Sequence, residues 1–422
     1  MNYLGSIEES AISVNANKVI SRLQENGFQA YLVGGCIRDL LLRKTPKDFD
    51  IATDAKPEEV RELFRNSLII GKRFRIVHVR FGREIIEVTT FRGPHADDYD
   101  ENHSDSGMTL NDNVYGTFEE DVFRRDFTMN AIYYEPRERD IIDLADGTAD
   151  IESQIIRTIG DPTGRLREDP VRMLRAIRFQ AKLEFSLEPD LESSIRSLGH
   201  LLQDVPPARL FEEVLKLFLS GYGTAAFDSM MENDIYGWLF PDSKRSMKNN
   251  ATEELVRLAL TSTDQRIAKQ KPVTPAFIYA AVLWYPFIEE KGRLEQEGEM
   301  TYAAAHEAAN NVISKQQLFT SIPKRFSGPM RDIWFLQSRL PSRFGQKPDR
   351  TMEHKRFRAA YDFLLLREQA GEKTEQLGEW WTEYQEATDE RKLAMKQSNS
   401  NGRQRKRKAR PKASTNDKAS SN

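Results

Sequence analysis

Within the stretch Tyr31 to Thr53, a Gly34-Gly35 pair, Arg38 and two aspartates, Asp48 and Asp50, follow one another closely. Each residue type suits one task in moving a phosphate. Glycine lets the backbone approach an anion, a helix start offers free N–H donors beside it, and Arg38 in the first turn adds a cation. In a strand, residues two apart point to the same face, so Asp48 and Asp50 repel each other unless a cation lies between them. Hard oxygen ligands suit Mg²⁺, which keeps waters and substrate phosphates in its shell. Alone, the glycine pair reads as a tight turn and the acid pair as a solvated edge. Together at this spacing they point to nucleotidyl transfer, with Gly34, Gly35 and Arg38 at the phosphates and a two-metal site on Asp48 and Asp50.

Two further groups extend the pattern. Arg124-Arg125-Asp126-Phe127-Thr128-Met129-Asn130 reads either as a surface salt bridge before a strand or as a second wall of the site. In the latter reading Arg125 meets a triphosphate, and Asp126 and Asn130 meet the sugar or the metal shell. Downstream, Asp169, Arg172 and Arg175 recur every three residues on one side of a helix, and Arg178 continues the row. Asp169 fits the cap of that helix and Pro170 its first position, while Val171, Leu174, Ile177 and Ala181 take the opposite side. Three arginines with one acid make a poorly balanced solvated face. A nucleotide pocket explains them better, because an Asp–Arg pair offers a base edge both an acceptor and a donor.

The elements that must position these residues are legible in outline. Ala16 to Asn26 reads as an amphipathic helix stopped by Gly27, Ala30 to Val33 as a strand, Ile37 to Leu42 as a helix start, Asp48 to Ala52 as a second strand and Pro57 to Arg65 as a helix. Arg75 to Phe81 and Ile85 to Phe91 alternate in period two around Gly82-Arg83, which predicts a hairpin. Gly93 to Asn113 has no apolar periodicity and is expected to be a mobile loop. Ala131 to Tyr134 and Asp140 to Leu144 are expected to close the sheet. Beyond Asp161 helical spacing prevails. The expected class is an α+β head with a mixed sheet and flanking helices over residues 1–160, then an all-helical neck over 161–250 and body over 251–390, and a disordered basic tail over 391–422.

Charge is unevenly placed. From Arg391 onward there are eleven Lys and Arg against one acid, Asp417; with the whole chain at -3, the residues before Arg391 carry -13. An acidic body with a cationic tail implies a polyanionic partner, met by Arg403, Arg405, Lys406, Arg407, Lys408, Arg410 and Lys412. The single cysteine, Cys36, rules out a disulfide within the chain and suits a reducing cytosol. Residues 1–10 carry no signal-peptide pattern, and the longest apolar run, Ala276 to Ile288, is too short to span a bilayer and reads as a buried helix. A cytoplasmic protein without membrane contact is expected.

The three groups, in this order, resemble the tRNA nucleotidyltransferase/poly(A) polymerase family, and the resemblance runs from about Ala30 to about Trp381. It implies Mg²⁺ on Asp48 and Asp50, a third catalytic acid at Asp126, and triphosphate contacts from Gly34, Gly35, Arg38 and Arg125, with Asn130 completing the site. It also implies base reading by Asp169 and Arg172 without a template, ATP as substrate and RNA 3′ ends as acceptor. Stretches outside the shared core, among them Leu63 to Asn66, Arg73 to His78, Pro206 to Lys216, Ile322 to Arg325 and Lys355 to Tyr361, are similar to the bacterial poly(A) polymerase branch, as is the basic tail. Membership there implies polyadenylation that promotes RNA decay and RNA-decay proteins as partners, though no residue identifies one. A CCA-adding enzyme shares the head motifs and is the alternative; a non-catalytic RNA-binding protein is the second. Cys36 stands where members often have glycine, and a packed, inert thiol is expected there.

Overall fold

A computed structural model describes residues 7–71, 75–93, 114–248 and 250–397. The 94–113 segment and the basic residues after 397 lie outside the described residues, so the expected mobile loop and tail do too. The chain forms two compact units, Met1–Leu217 with Ala225–Leu239, and Phe218–Thr224 with Phe240–Asn422.

The first unit is built on a seven-stranded mixed sheet. Its strands are β1 (Ala30–Val33), β2 (Asp50–Thr53), β3 (Ser67–Ile70), β4 (Ile76–Phe81), β5 (Glu84–Thr90), β6 (Tyr133–Glu135) and β7 (Asp140–Ile142), in the order β3-β4-β5-β2-β1-β6-β7. Among the described residues of this sheet only β2 and β5 pair in parallel, with Asp50 opposite Glu87. Gly82, at φ 63°, turns the β4–β5 hairpin where the sequence placed it. The helix Val14–Glu25 starts two residues before the expected one, because Ser13 Oγ accepts from the Asn15 and Ala16 N–H groups. It buries Ala16, Val19, Ile20 and Leu23 and packs on β1, β2 and β5.

One strand has no counterpart among the sequence expectations and another starts later than expected. β3 is a four-residue edge strand with Leu68 exposed, too short to declare itself by alternation. β2 begins at Asp50 rather than Asp48. Asp48 lies exposed in the bend before the strand, between Pro46 and the buried Phe49. The two aspartates therefore do not alternate along one strand face.

After the sheet come short helices, Pro162–Glu168 and then Val171–Leu183. Asp161 caps the former by accepting from Gly164 N–H at 2.7 Å. The second unit is helical among its described residues. The expected single helix over 276–288 is divided at Leu283 into Pro275–Val282 and Trp284–Gln296, with Pro286 in the first turn of the second. Its core stacks Phe287 on Trp334 with centroids 4.6 Å apart, and a second cluster gathers Leu340, Phe357, Leu364 and Trp381. Among the described residues no helix is long and apolar enough to cross a membrane.

Candidate active site

A cleft of about 440 Å³ opens in the first unit. It is lined by Asp50 and Glu87 from the sheet, Arg125 and Asp126 from the segment before β6, and Asp169, Arg172 and Arg175 from the start of the 171–183 helix. Six expected site residues stand outside this lining: Gly34, Gly35, Arg38, Asp48, Asn130 and Arg178.

Gly34 still borders the group. At φ 76° it adopts the left-handed backbone that favours glycine, and a Cβ there would lie 3.4 Å from the Asn130 carbonyl and 3.6 Å from Arg125 Nη1. Arg38, expected at phosphate, is buried and committed elsewhere. Its Nε and Nη2 donate to Asp39 Oδ1 at 2.9 and 2.6 Å, its Nη1 donates to Asn130 Oδ1 at 2.6 Å, and its guanidinium lies 5.0 Å from the Phe179 ring. Arg38 thus ties the 35–41 helix to the 128–130 turn. Arg178 also packs on Phe179, at 5.0 Å, and lies 3.9 Å from Glu213.

Asp50 is the anomalous carboxyl. Its pKa is pushed up to about 6, first by burial and then by Glu87 and Asp48, with Arg125 pulling the other way. Asp50 and Glu87 stand opposite each other across a parallel strand pair, Asp48 lies just before the strand, and Arg125 is the cation that acts on Asp50. The carboxylate oxygens of the three acids are hard donors, the kind that a divalent cation such as Mg²⁺ takes. Among the described residues no group of three or more His, Cys, Asp or Glu forms a ready-made cluster. Glu87 was missed by sequence reasoning. It lies 37 positions from Asp50, and only their parallel register brings them together. His78 Nε2 lies 3.2 Å from Glu87 Oε1 on the other side.

Asp126 does not join that cluster. Its Oδ2 accepts from Arg175 Nε at 2.6 Å, and its Oδ1 accepts from Asn130 Nδ2 at 3.1 Å and from Phe127 N–H at 2.9 Å. Burial raises its pKa, but Arg175 and Asn130 more than offset that and hold it below the usual carboxylate range. The carboxylate facing Asp50 is Glu87 rather than Asp126. Arg125 is likewise braced: Nη2 donates to Asp121 Oδ2 at 2.9 Å and Nε to Tyr133 Oη at 2.7 Å.

Asp169 and Arg172 both face the cleft, but each has another partner. Asp169 Oδ2 accepts from Arg209 Nη2 at 2.7 Å, and its Oδ1 accepts from Val171 N–H at 3.3 Å, the expected capping contact. Arg172 Nη1 donates to Glu168 Oε2 and to the Arg165 carbonyl, both at 2.7 Å. Arg165 itself donates to the carbonyls of Arg124 and Arg125. Neither Arg165 nor Arg209 was singled out from the sequence; the match at Pro206 to Lys216, which contains Arg209, was the available signal. Cys36 is buried, and burial above all pushes its thiol up to about 12, which makes it inert as expected.

Three family descriptions match the chain: Poly A polymerase head domain over residues 30–157, probable RNA and SrmB-binding site of polymerase A over 184–247, and polymerase A arginine-rich C-terminus over 297–414. Poly(A) polymerase I of Haemophilus influenzae is 46% identical over 389 residues, covering 90% of this chain and 86% of its own. A CCA-adding enzyme of Lactobacillus helveticus is 38% identical over 224 residues, covering only 53% of this chain and 54% of its own. Among solved structures, the Bacillus stearothermophilus CCA-adding enzyme in complex with CTP aligns with a TM-score of 0.59 at 26% identity, over 90% of this chain and 81% of that one. The CCA-adding alternative is thus the more distant one. The chain belongs to the bacterial poly(A) polymerase family, the polynucleotide adenylyltransferases that extend RNA without a template.

Proposed function

We propose that this cleft carries the transfer of AMP from ATP to RNA 3′ ends, with release of pyrophosphate. The reading rests on Asp50 and Glu87, two acids brought together in a half-buried position where a bound cation would relieve their repulsion at neutral pH. Asp48, Asp50 and Glu87 would hold Mg²⁺. When bound, two such ions would activate the RNA 3′-hydroxyl and steady the leaving pyrophosphate.

The remaining work falls to fixed charges. Arg125, braced by Asp121 and Tyr133, and Arg175, braced by Asp126, present guanidinium groups to the triphosphate without rearranging during reaction. In-line displacement needs such positioning more than a protein nucleophile, so no covalent intermediate is assigned. Asp126 acts as a positioning residue for Arg175 and Asn130. Gly34 and Gly35 keep the neighbouring turn thin, and Arg38 and Arg178 fix its support through Phe179. Asp169, held by Arg209, and Arg172, held by Glu168, offer an acceptor and a donor to the base edge. Adenine and cytosine share an amino donor beside a ring acceptor, so this pair excludes guanine and uracil and leaves base size to separate A from C.

The test is RNA extension with ATP and Mg²⁺ by Asp50→Ala and Glu87→Gln variants. Loss of at least about a hundredfold in each, with cooperative unfolding retained, is expected. Wild-type extension by Glu87→Gln would remove that residue from the metal set; wild-type extension by Asp50→Ala would overturn the reading of the cleft.

A further inference from the structure

On the second unit, helices Thr301–Gln316 and Lys324–Arg339 display an aromatic stack on their outer side. Tyr302 and His306, one turn apart, have ring centroids 4.5 Å apart, and His306 lies 4.3 Å from the Phe335 ring. One turn further along, Arg331 Nη1 donates to Asn310 Oδ1 at 2.6 Å. The two cross-helix contacts fall in antiparallel register, so rings and guanidinium form one ribbon across both helices. Tyr302 is 75% exposed, so its ring is not buried in the unit's core.

An exposed ring pair one helical turn apart is, by itself, a modest local stabiliser. The charge around it says more. The two helices carry five Lys and Arg against two acids, Glu307 and Asp332, in a chain whose residues before Arg391 carry -13. Lys315 is taken by Asp242 at 2.8 Å, while Lys324, Arg331 and Arg339 fall at the seven- and four-residue spacings that share a face with Phe335. A cationic strip with stacked rings on an acidic body suits a ligand that is both anionic and flat-faced. A protein partner docking through apolar surface would not select that sign of charge.

We propose that Tyr302, His306 and Phe335, with Arg331 beside them, form a stacking platform for unpaired bases of the RNA being extended, built from residues that do not line the catalytic cleft. It rests on RNA being the substrate. Sequence tolerance follows, because every base has a π face while the arginine meets the backbone.

The test uses the full chain and a labelled, unstructured 20-nucleotide RNA. Anisotropy titration gives its Kd, and initial rates of ATP incorporation give separate KM values for RNA and ATP. Tyr302→Ala is expected to raise the RNA Kd and RNA KM about tenfold, with a larger rise in Tyr302→Ala/His306→Ala. Tyr302→Phe, which keeps the ring, should stay near wild type, as should Leu318→Ala, an exposed control outside the ribbon. The ATP KM should not move. RNA Kd and KM within twofold of wild type in the double variant would overturn the platform. Failure of the wild-type chain to extend any RNA would instead strike the adenylyltransferase reading, and the binding titration would still judge the platform by itself.

Discussion

Asp50 is held where the fold alone prefers it protonated. Its folded pKa, about 6, exceeds its ordinary 3.8, so the folded state binds that proton more tightly than the unfolded chain does. Ionising it therefore lowers stability; the loss is complete above about pH 6 and vanishes as pH falls towards 4. The shift corresponds to roughly 3 kcal/mol at most. Without metal, Asp50→Asn should stabilise the protein at pH 8 by about 1–3 kcal/mol and have little effect near pH 4. Urea titrations in a chelator at the two pH values check this. Equal effects at both would mean that the acid is not under strain. Asp126 shows the opposite economy, since Arg175 and Asn130 compensate its charge. Arg175→Met leaves that carboxylate without its cation and should cost roughly 2–3 kcal/mol in urea unfolding, while RNA extension falls about a hundredfold. Asp50 was identifiable from the sequence because acid pairs beside a glycine turn have few other uses. The role of Glu87 was not, since nothing local to it differs from an exposed strand residue.

The elements that aim these side chains are held by close backbone approach. The helix Gly147–Ser153 lies against the turn Thr128–Asn130, and a Cβ on Gly147 would stand 2.2 Å from the Thr128 carbonyl. Gly147→Ala should therefore destabilise by about 1–3 kcal/mol, as overpacking does, and reduce extension by displacing Asn130. A Cβ on Gly292 meets nothing within 4 Å, so Gly292→Ala in the interior of its helix should be neutral or slightly stabilising. Paired chemical-denaturation curves give the answer, and equal midpoints would contradict the packing argument. Such contacts are unreadable from a lone glycine. Periodicity revealed the β4–β5 hairpin and the 171–183 helix, where burial alternates or recurs regularly. It failed at β3, four residues on an edge, and at Asp48, where a Pro46 bend delays the strand by two residues.

At the scale of the molecule, the sequence separated a sheet-bearing first part from a helical remainder because strand-type alternation stops after Asp161. It could not show which charges neutralise one another. Four cleft arginines, Arg125, Arg172, Arg175 and Arg209, are each paired to an acid, Asp121, Glu168, Asp126 and Asp169 respectively. The basic run after Arg403 contributes charge of a different kind, and sequence alone predicts its effect. Removing residues 398–422 deletes eight Lys and Arg and should weaken RNA binding mainly at low salt. The slope of log K against log salt should flatten by up to about 5. An unchanged slope in anisotropy titrations from 50 to 300 mM salt would mean that the tail does not touch RNA.

The most direct measurement is a gel of one unstructured RNA and one truncated tRNA, each incubated with Mg²⁺ and with the nucleotide triphosphates singly and together, for the wild-type chain and Asp50→Asn. Long ladders from ATP in the wild type, and none from the variant, are the predicted result. Full-length ladders from Asp50→Asn, or addition confined to C, C and A on a truncated tRNA, would contradict the account.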